Sequence, residues 1–144
     1  MKYTCEIEIE KPIEEVVKLF DSTENLYAWM EGLEKFEHLE GTSGEVGAKS
    51  KLTFKIKRRK LEMIETITEK DLPKVFAGTY DAKGVHNIIR NEFQPIGENK
   101  TKYISHQEFQ FTGLMKYMAP LMPGAFKKQS LKHLKAFKDF AEKN

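Results

Sequence analysis

The chain has 144 residues, of which 40% are hydrophobic and 32% charged, with ten Phe, five Tyr and one Trp. That composition supplies a core for one compact domain spanning residues 1–144 and excludes both a disordered polymer and a chain with room for a second domain. The formal net charge of +2 lacks the domain-wide basic excess of a nucleic-acid reader, so no nucleic-acid partner is expected.

Charge is nevertheless unevenly spread. Residues 1–48 carry 4 basic and 12 acidic side chains, and residues 113–144 carry 7 Lys against 2 acids, so the two ends are expected to attract. Cys5 is the one cysteine, which rules out an internal disulfide; between Thr4 and Glu6 it reads as a small buried hydrophobe in a strand. The first ten residues hold no apolar h-region, and no stretch approaches the length of uncharged apolar sequence that spans a bilayer. A cytoplasmic address and no stable membrane insertion are the resulting expectations.

In chain order, Tyr3, Cys5, Ile7 and Ile9 alternate with Thr4, Glu6, Glu8 and Glu10, the period of a strand with one buried face. Lys11-Pro12 breaks it, and Pro12 suits the first turn of a helix whose apolar side is Val16, Val17, Leu19 and Phe20. Asp21, Ser22 and Thr23 offer N-caps for a second short helix bearing Leu26, Tyr27, Trp29 and Met30, which Gly32 is placed to end.

From Leu33 to Phe111 turn signals divide the chain into strands. Leu52, Phe54 and Ile56 alternate with Lys51, Thr53, Lys55 and Lys57, and Arg58-Arg59-Lys60 suits an exposed hairpin corner. Leu61 to Thr68, Val75 to Tyr80, Val85 to Phe93 and Lys102 to Phe111 follow, separated at Asp71-Leu72-Pro73, Lys83-Gly84 and Pro95 to Asn99. Beyond Gly113 the period becomes helical: Leu131, Leu134, Phe137 and Phe140/Ala141 form one side, with Lys128, Lys132, Lys135 and Lys138 mainly opposite. Pro120, Pro123 and Gly124 place the start of the regular helix near Gly124 and make the preceding segment kinked or loop-like.

This order resembles the helix-grip fold of the START/Bet v 1-like (SRPBCC) superfamily, in particular its bacterial polyketide cyclase/dehydrase and lipid-transport branch. The marks are Ile9-Glu10-Lys11-Pro12-Ile13-Glu14-Glu15-Val16 at the strand-to-helix entry, the turn Gly44-Glu45-Val46-Gly47-Ala48, and Thr68-Glu69-Lys70-Asp71-Leu72-Pro73 between middle strands. The fold class implied is α+β, with a curved antiparallel sheet of about seven strands wrapped around a long C-terminal helix and two short helices after strand one. The resemblance implies a cavity between sheet and helix, opening near the short helices and loops, and implies no particular reaction.

The residues themselves give a reason for a cavity, because a sheet of that size curved around one helix encloses more space than its inward side chains fill. Met115, Met118 and Met122, with Leu114, Leu121 and Phe126, are candidate lining, since unbranched thioethers adapt to variable apolar shapes. Trp29 and Phe54 are further candidates. If Tyr103, Phe109 and Phe111 point inward, Ser105 and Gln107 share their face while His106, Glu108 and Gln110 meet solvent; Ile89 and Phe93 likewise bring Asn87 and Asn91 inside. Such amides bond to one another, to water or to the polar end of a ligand.

Acid–base candidates are His38, His86, His106, His133, Glu65 and Arg90, with a solvent-facing position favoured for Glu65 and Arg90 and either position open for His133. None has the spacing of a zinc site, a HExxH helix, a nucleophile elbow or a phosphate loop, so no metal and no cofactor is expected. Three functions fit. The leading one is a carrier or sensor for a small hydrophobic or amphipathic molecule, as monomer or homodimer. The others are a cyclase/dehydrase-like enzyme and a protein-interaction module using the Lys-rich helix face.

Overall fold

The computed structural model of the protein describes residues 1–122 and 124–144. Strand β1 (Lys2–Ile9) leads into helices α1 (Ile13–Phe20) and α2 (Thr23–Trp29). Six strands follow: β2 (Leu33–Glu40), β3 (Lys49–Ile56), β4 (Arg59–Asp71), β5 (Val75–Ala82), β6 (Val85–Pro95) and β7 (Thr101–Phe111). Helix α3 (Met115–Met118), a 3₁₀ turn (Ala119–Leu121) and the long helix α4 (Ala125–Lys143) close the chain.

All seven strands form one antiparallel sheet in the order β1-β7-β6-β5-β4-β3-β2, so the first strand returns to pair with the last. Register shifts between Ile67 and Glu69 in β4, and at two places in β2, put extra residues on one side of the ladder. Such bulges bend a strand and increase its twist, and here they curve the sheet.

Local chemistry accounts for the element ends. Pro12 is the residue preceding α1, and its carbonyl accepts from the amides of Glu15 and Val16. Ser22 caps α2 by accepting from Asn25 N at 3.3 Å. The β3–β4 corner falls at Lys57, which takes φ 59°, and Arg58, so Arg59 and Lys60 belong to β4 and not to the corner expected to contain them. The kinked segment expected before the last helix is α3 and the 3₁₀ turn; Pro123, also expected to interrupt it, lies outside the described residues.

Helix α4 is held against β1 at three points along its length. Tyr3 Oη lies 2.7 Å from Ser130 Oγ and donates to the Phe126 carbonyl at 3.0 Å. Lys138 Nζ donates to the Glu8 carbonyl at 2.7 Å, and the Glu10 amide donates to Glu142 at 2.9 Å. Lys132 also pairs with Glu31 at 3.1 Å, so the acidic beginning and basic end of the chain do meet.

A packed core lies between helix and sheet. Cys5, Ile9, Val16, Phe93, Tyr103, Leu134, Phe137 and Ala141 are buried there together. Phe20 stands at its edge, with ring centroids 5.0 Å from Phe93, 5.5 Å from Phe137 and 5.8 Å from both Phe76 and Tyr103. Among the described residues no helix is long and apolar enough to cross a membrane.

Candidate functional site

Beside Phe20 the space between sheet and helix holds a cavity of about 340 Å³. Its floor is the concave face of the sheet, and its sides are α1, α2 and the first turns of α4. Asp21, Thr23, Ser43 and Gln129 belong to the lining and are exposed, so the cavity reaches solvent where the α1–α2 turn, the β2–β3 loop and α4 come together.

The ladder fixes what points into it. Ser50, Glu65, Tyr80, Asn87 and Phe109 are successive partners across β3, β4, β5, β6 and β7, and all five line the cavity. A second row runs Ile67, Gly78, Ile89 and Gln107. Gly78 belongs there for a steric reason: a Cβ would come 2.9 Å from the Thr66 carbonyl oxygen beside the β4 bulge. A third row runs Phe76, Asn91, Ser105 and Cys5, with Cys5 buried and its thiol pKa raised by that burial.

Polar groups on this floor are mostly partnered. Asn87 Nδ2 donates to Gln107 Oε1 at 3.2 Å and to the Glu108 carbonyl at 3.1 Å, and Gln107 Nε2 donates to Ser105 Oγ at 2.8 Å. Tyr103 Oη donates to Asn91 Oδ1 at 3.0 Å. Trp29 Nε1 is buried with no hydrogen-bond partner among the described residues.

Of the twelve residues expected to line a cavity, nine do so: Trp29, Phe54, Asn87, Ile89, Asn91, Tyr103, Ser105, Gln107 and Phe126. Met115, Met118 and Met122 do not. Met115 packs against the β5–β6 corner, its Cγ 3.2 Å from where a Gly84 Cβ would sit, and Met118 and Met122 are each 41% exposed. The short α3 and 3₁₀ turn lie outside the lining, and the methionines inside it are Met30 and Met63.

Glu65, expected on the surface, is only 8% exposed and lines the cavity. Burial raises its carboxyl pKa, and Tyr80 Oη, donating to Oε2 at 2.7 Å, partly offsets that rise. The Tyr80 phenol is in turn held well above its ordinary range by burial and by Glu65. Arg90 sits on the opposite face as expected, paired with Glu69 and, at 3.4 Å, with Glu92.

Among the histidines only His133 lines the cavity, its ring centroid 4.8 Å from that of Trp29. Loss of hydration lowers its pKa to about 4, which leaves it neutral near pH 7. Among the described residues no group of three His, Cys, Asp or Glu is placed to hold a metal ion.

Alternation in β4 carries the signal for Glu65: Met63 and Ile67 share its face because side chains repeat every two residues. Gly78, isolated within a strand, was the other readable sign, since such a glycine marks a bulge or close backbone approach.

No protein-family model and no curated protein sequence matches the chain. Solved structures match it nearly end to end. A conserved protein from Geobacillus kaustophilus superposes with TM-score 0.83 at 18% identity, covering 99% of this chain and 96% of that one. The Zhui aromatase/cyclase of a Streptomyces species gives 0.82 at 13% identity, with 99% and 93% covered. Norcoclaurine synthase from Thalictrum flavum, solved with dopamine and hydroxybenzaldehyde, gives 0.72 at 16% identity, with 100% and 87% covered. The fold is therefore the helix-grip fold of the START/Bet v 1-like proteins.

Proposed function

We propose that the protein takes a small hydrophobic or amphipathic molecule into this cavity, as a carrier or sensor with a cytoplasmic address. The observation that carries the proposal is the cavity itself: about 340 Å³, walled by Trp29, Met30, Phe54, Met63, Ile89 and Phe126, with one polar strip from Glu65 to Gln107. Sites for small molecules commonly occupy roughly 300–1,000 Å³ and combine apolar walls with a few polar groups that orient the guest. Apolar burial supplies the affinity, at roughly 25 cal/mol per Å² removed from water. In this reading the nine sequence-derived lining residues are ligand contacts.

A fluorescent apolar probe, N-phenyl-1-naphthylamine, tests it. Saturable one-to-one enhancement is expected with the unmodified protein, weakened about tenfold or more by Ile89→Trp, which fills the cavity from β6. A folded protein that enhances neither this probe nor any aromatic or aliphatic competitor's displacement signal refutes the carrier.

A second reading, a cyclase-like enzyme, is favoured by one observation: the hydrogen-bonded Glu65–Tyr80 pair is a titratable group inside the cavity. A carboxyl whose pKa is raised by burial suits proton transfer to a guest held beside it. Two structural neighbours named above, an aromatase/cyclase and norcoclaurine synthase, make the same reading worth testing by turnover assays. The interaction-module reading is less favoured, because the interior is not filled.

A further inference from the structure

The charge inside the cavity is one-sided. Among the described residues its lining includes two carboxylates, Asp21 and Glu65, and neither Lys nor Arg. Asp21 is at the exposed rim, where Lys70 lies 3.5 Å from its carboxylate and donates to the Gly44 carbonyl at 2.7 Å. Glu65 is deep, and no cation pairs with it among the described residues. Tyr80 satisfies its Oε2, while Oε1 has no hydrogen-bond partner among the described residues and is not sealed off from the cavity.

We infer that the cavity selects amphipathic guests bearing a primary ammonium group, with Glu65 as its counter-ion and Tyr80 fixing the carboxylate's orientation. The inference rests on the ligand-binding proposal and narrows the class of ligand. An ammonium supplies the hydrogen bond that Oε1 lacks and the positive charge that a buried carboxylate lacks. A fatty-acid headgroup fares worse: it enters a low-dielectric space with no cation to meet it and a second carboxyl close by. His133 does not alter the balance, being neutral near pH 7.

Three ten-carbon competitors separate the possibilities: decylammonium, decanol and decanoate, each displacing N-phenyl-1-naphthylamine near pH 7.5 below its micelle concentration. Decylammonium is expected to displace the probe at about tenfold lower concentration than decanol, the scale of one charge-assisted hydrogen bond, with decanoate weakest. Glu65→Gln, checked for native circular dichroism, is expected to bring decylammonium to the level of decanol measured on the same variant. The preference is expected to persist in 0.5 M NaCl, because a buried pair is screened little.

The order in the unmodified protein needs no variant to fold. Decanoate equal to or better than decylammonium, with decanol still bound, overturns the ammonium assignment and leaves the cavity proposal standing. A preference that survives Glu65→Gln, or vanishes in salt, also overturns it. Failure of all three competitors and the probe removes the cavity proposal, and this inference with it.

Discussion

Tyr3 near the start of the chain and Ser130 near its end are joined by a 2.7 Å hydrogen bond between their hydroxyls, and Tyr3 Oη also donates to the Phe126 carbonyl. The bond fastens the first turns of α4 to the edge strand β1 beside the cavity, where Phe126 and Ser130 form part of its wall. Tyr3→Phe keeps the ring that stacks on Phe109 at 6.0 Å and removes only the hydroxyl. A loss of about 1 kcal/mol in urea unfolding is expected, with Ser130→Ala less than additive with it because both sever one contact. Full additivity contradicts the coupling.

The carrier reading assigns different outcomes to methionines that the sequence alone groups together. Met118→Lys and Met122→Lys change positions outside the cavity lining, and probe affinity is expected to stay within about twofold. Met63→Lys places a cation among Phe54, Glu65 and Tyr80, and is expected to reduce affinity for a neutral probe about tenfold or more. Fluorescence titration of the three variants compares them directly; loss of binding in Met118→Lys with retention in Met63→Lys would move the site to α3.

His133 gives the protein an acid sensitivity of definite sign. Its folded-state pKa of about 4 lies below the ordinary 6.5, so between those values the unfolded chain binds the proton that the folded chain refuses. Stability from this group is therefore complete above pH 6.5 and lost progressively as pH falls to about 4. The loss is about 2 kcal/mol, smaller than the full effect because His133 lines a cavity that reaches solvent. Urea midpoints at pH 7 and 5 for the protein and for His133→Gln check this, the variant being expected to show the flatter dependence.

Glu65 acts in the opposite sense. Its folded-state pKa is raised by burial, so stability falls as pH rises from the unfolded carboxyl value through the folded one and stays lowered above it. Glu65→Gln keeps an acceptor for Tyr80 without the desolvated charge, and is expected to be more stable by about 1 kcal/mol at pH 8. At pH 4 the difference is expected to vanish. Thermal unfolding at the two pH values measures it, and a destabilised variant at pH 8 would show the carboxylate to be structurally required.

What was legible beforehand followed from parity. Once Tyr103 and Phe109 point inward, Ser105 and Gln107 have no other choice, and the antiparallel ladder then brings Asn91 opposite Ser105 and Asn87 opposite Phe109. Glu65 obeyed the same rule beside Met63 and Ile67, but its side-chain type argued for solvent, since carboxylates are seldom buried. Position in the ladder overrode residue type. The methionines differ for another reason: Met115 and Met118 lie on a short helix and Met122 just after the 3₁₀ turn that follows it, and hydrophobicity there does not say which side of the sheet's end the segment occupies. Phe126 reaches the cavity because α4 carries it, at 5.0 Å from Phe109.

Methyl NMR of the six methionines tests the central claim most directly, because they divide between cavity and exterior. Met30 and Met63 line the cavity, while Met1, Met115, Met118 and Met122 lie outside its lining. Titration with decanol is predicted to shift the Met30 and Met63 methyl resonances along one saturable curve and to leave the other four in place. Saturation of Met115, Met118 or Met122 without movement of Met30 and Met63 would put the guest elsewhere on the molecule and contradict a ligand held between sheet and helix.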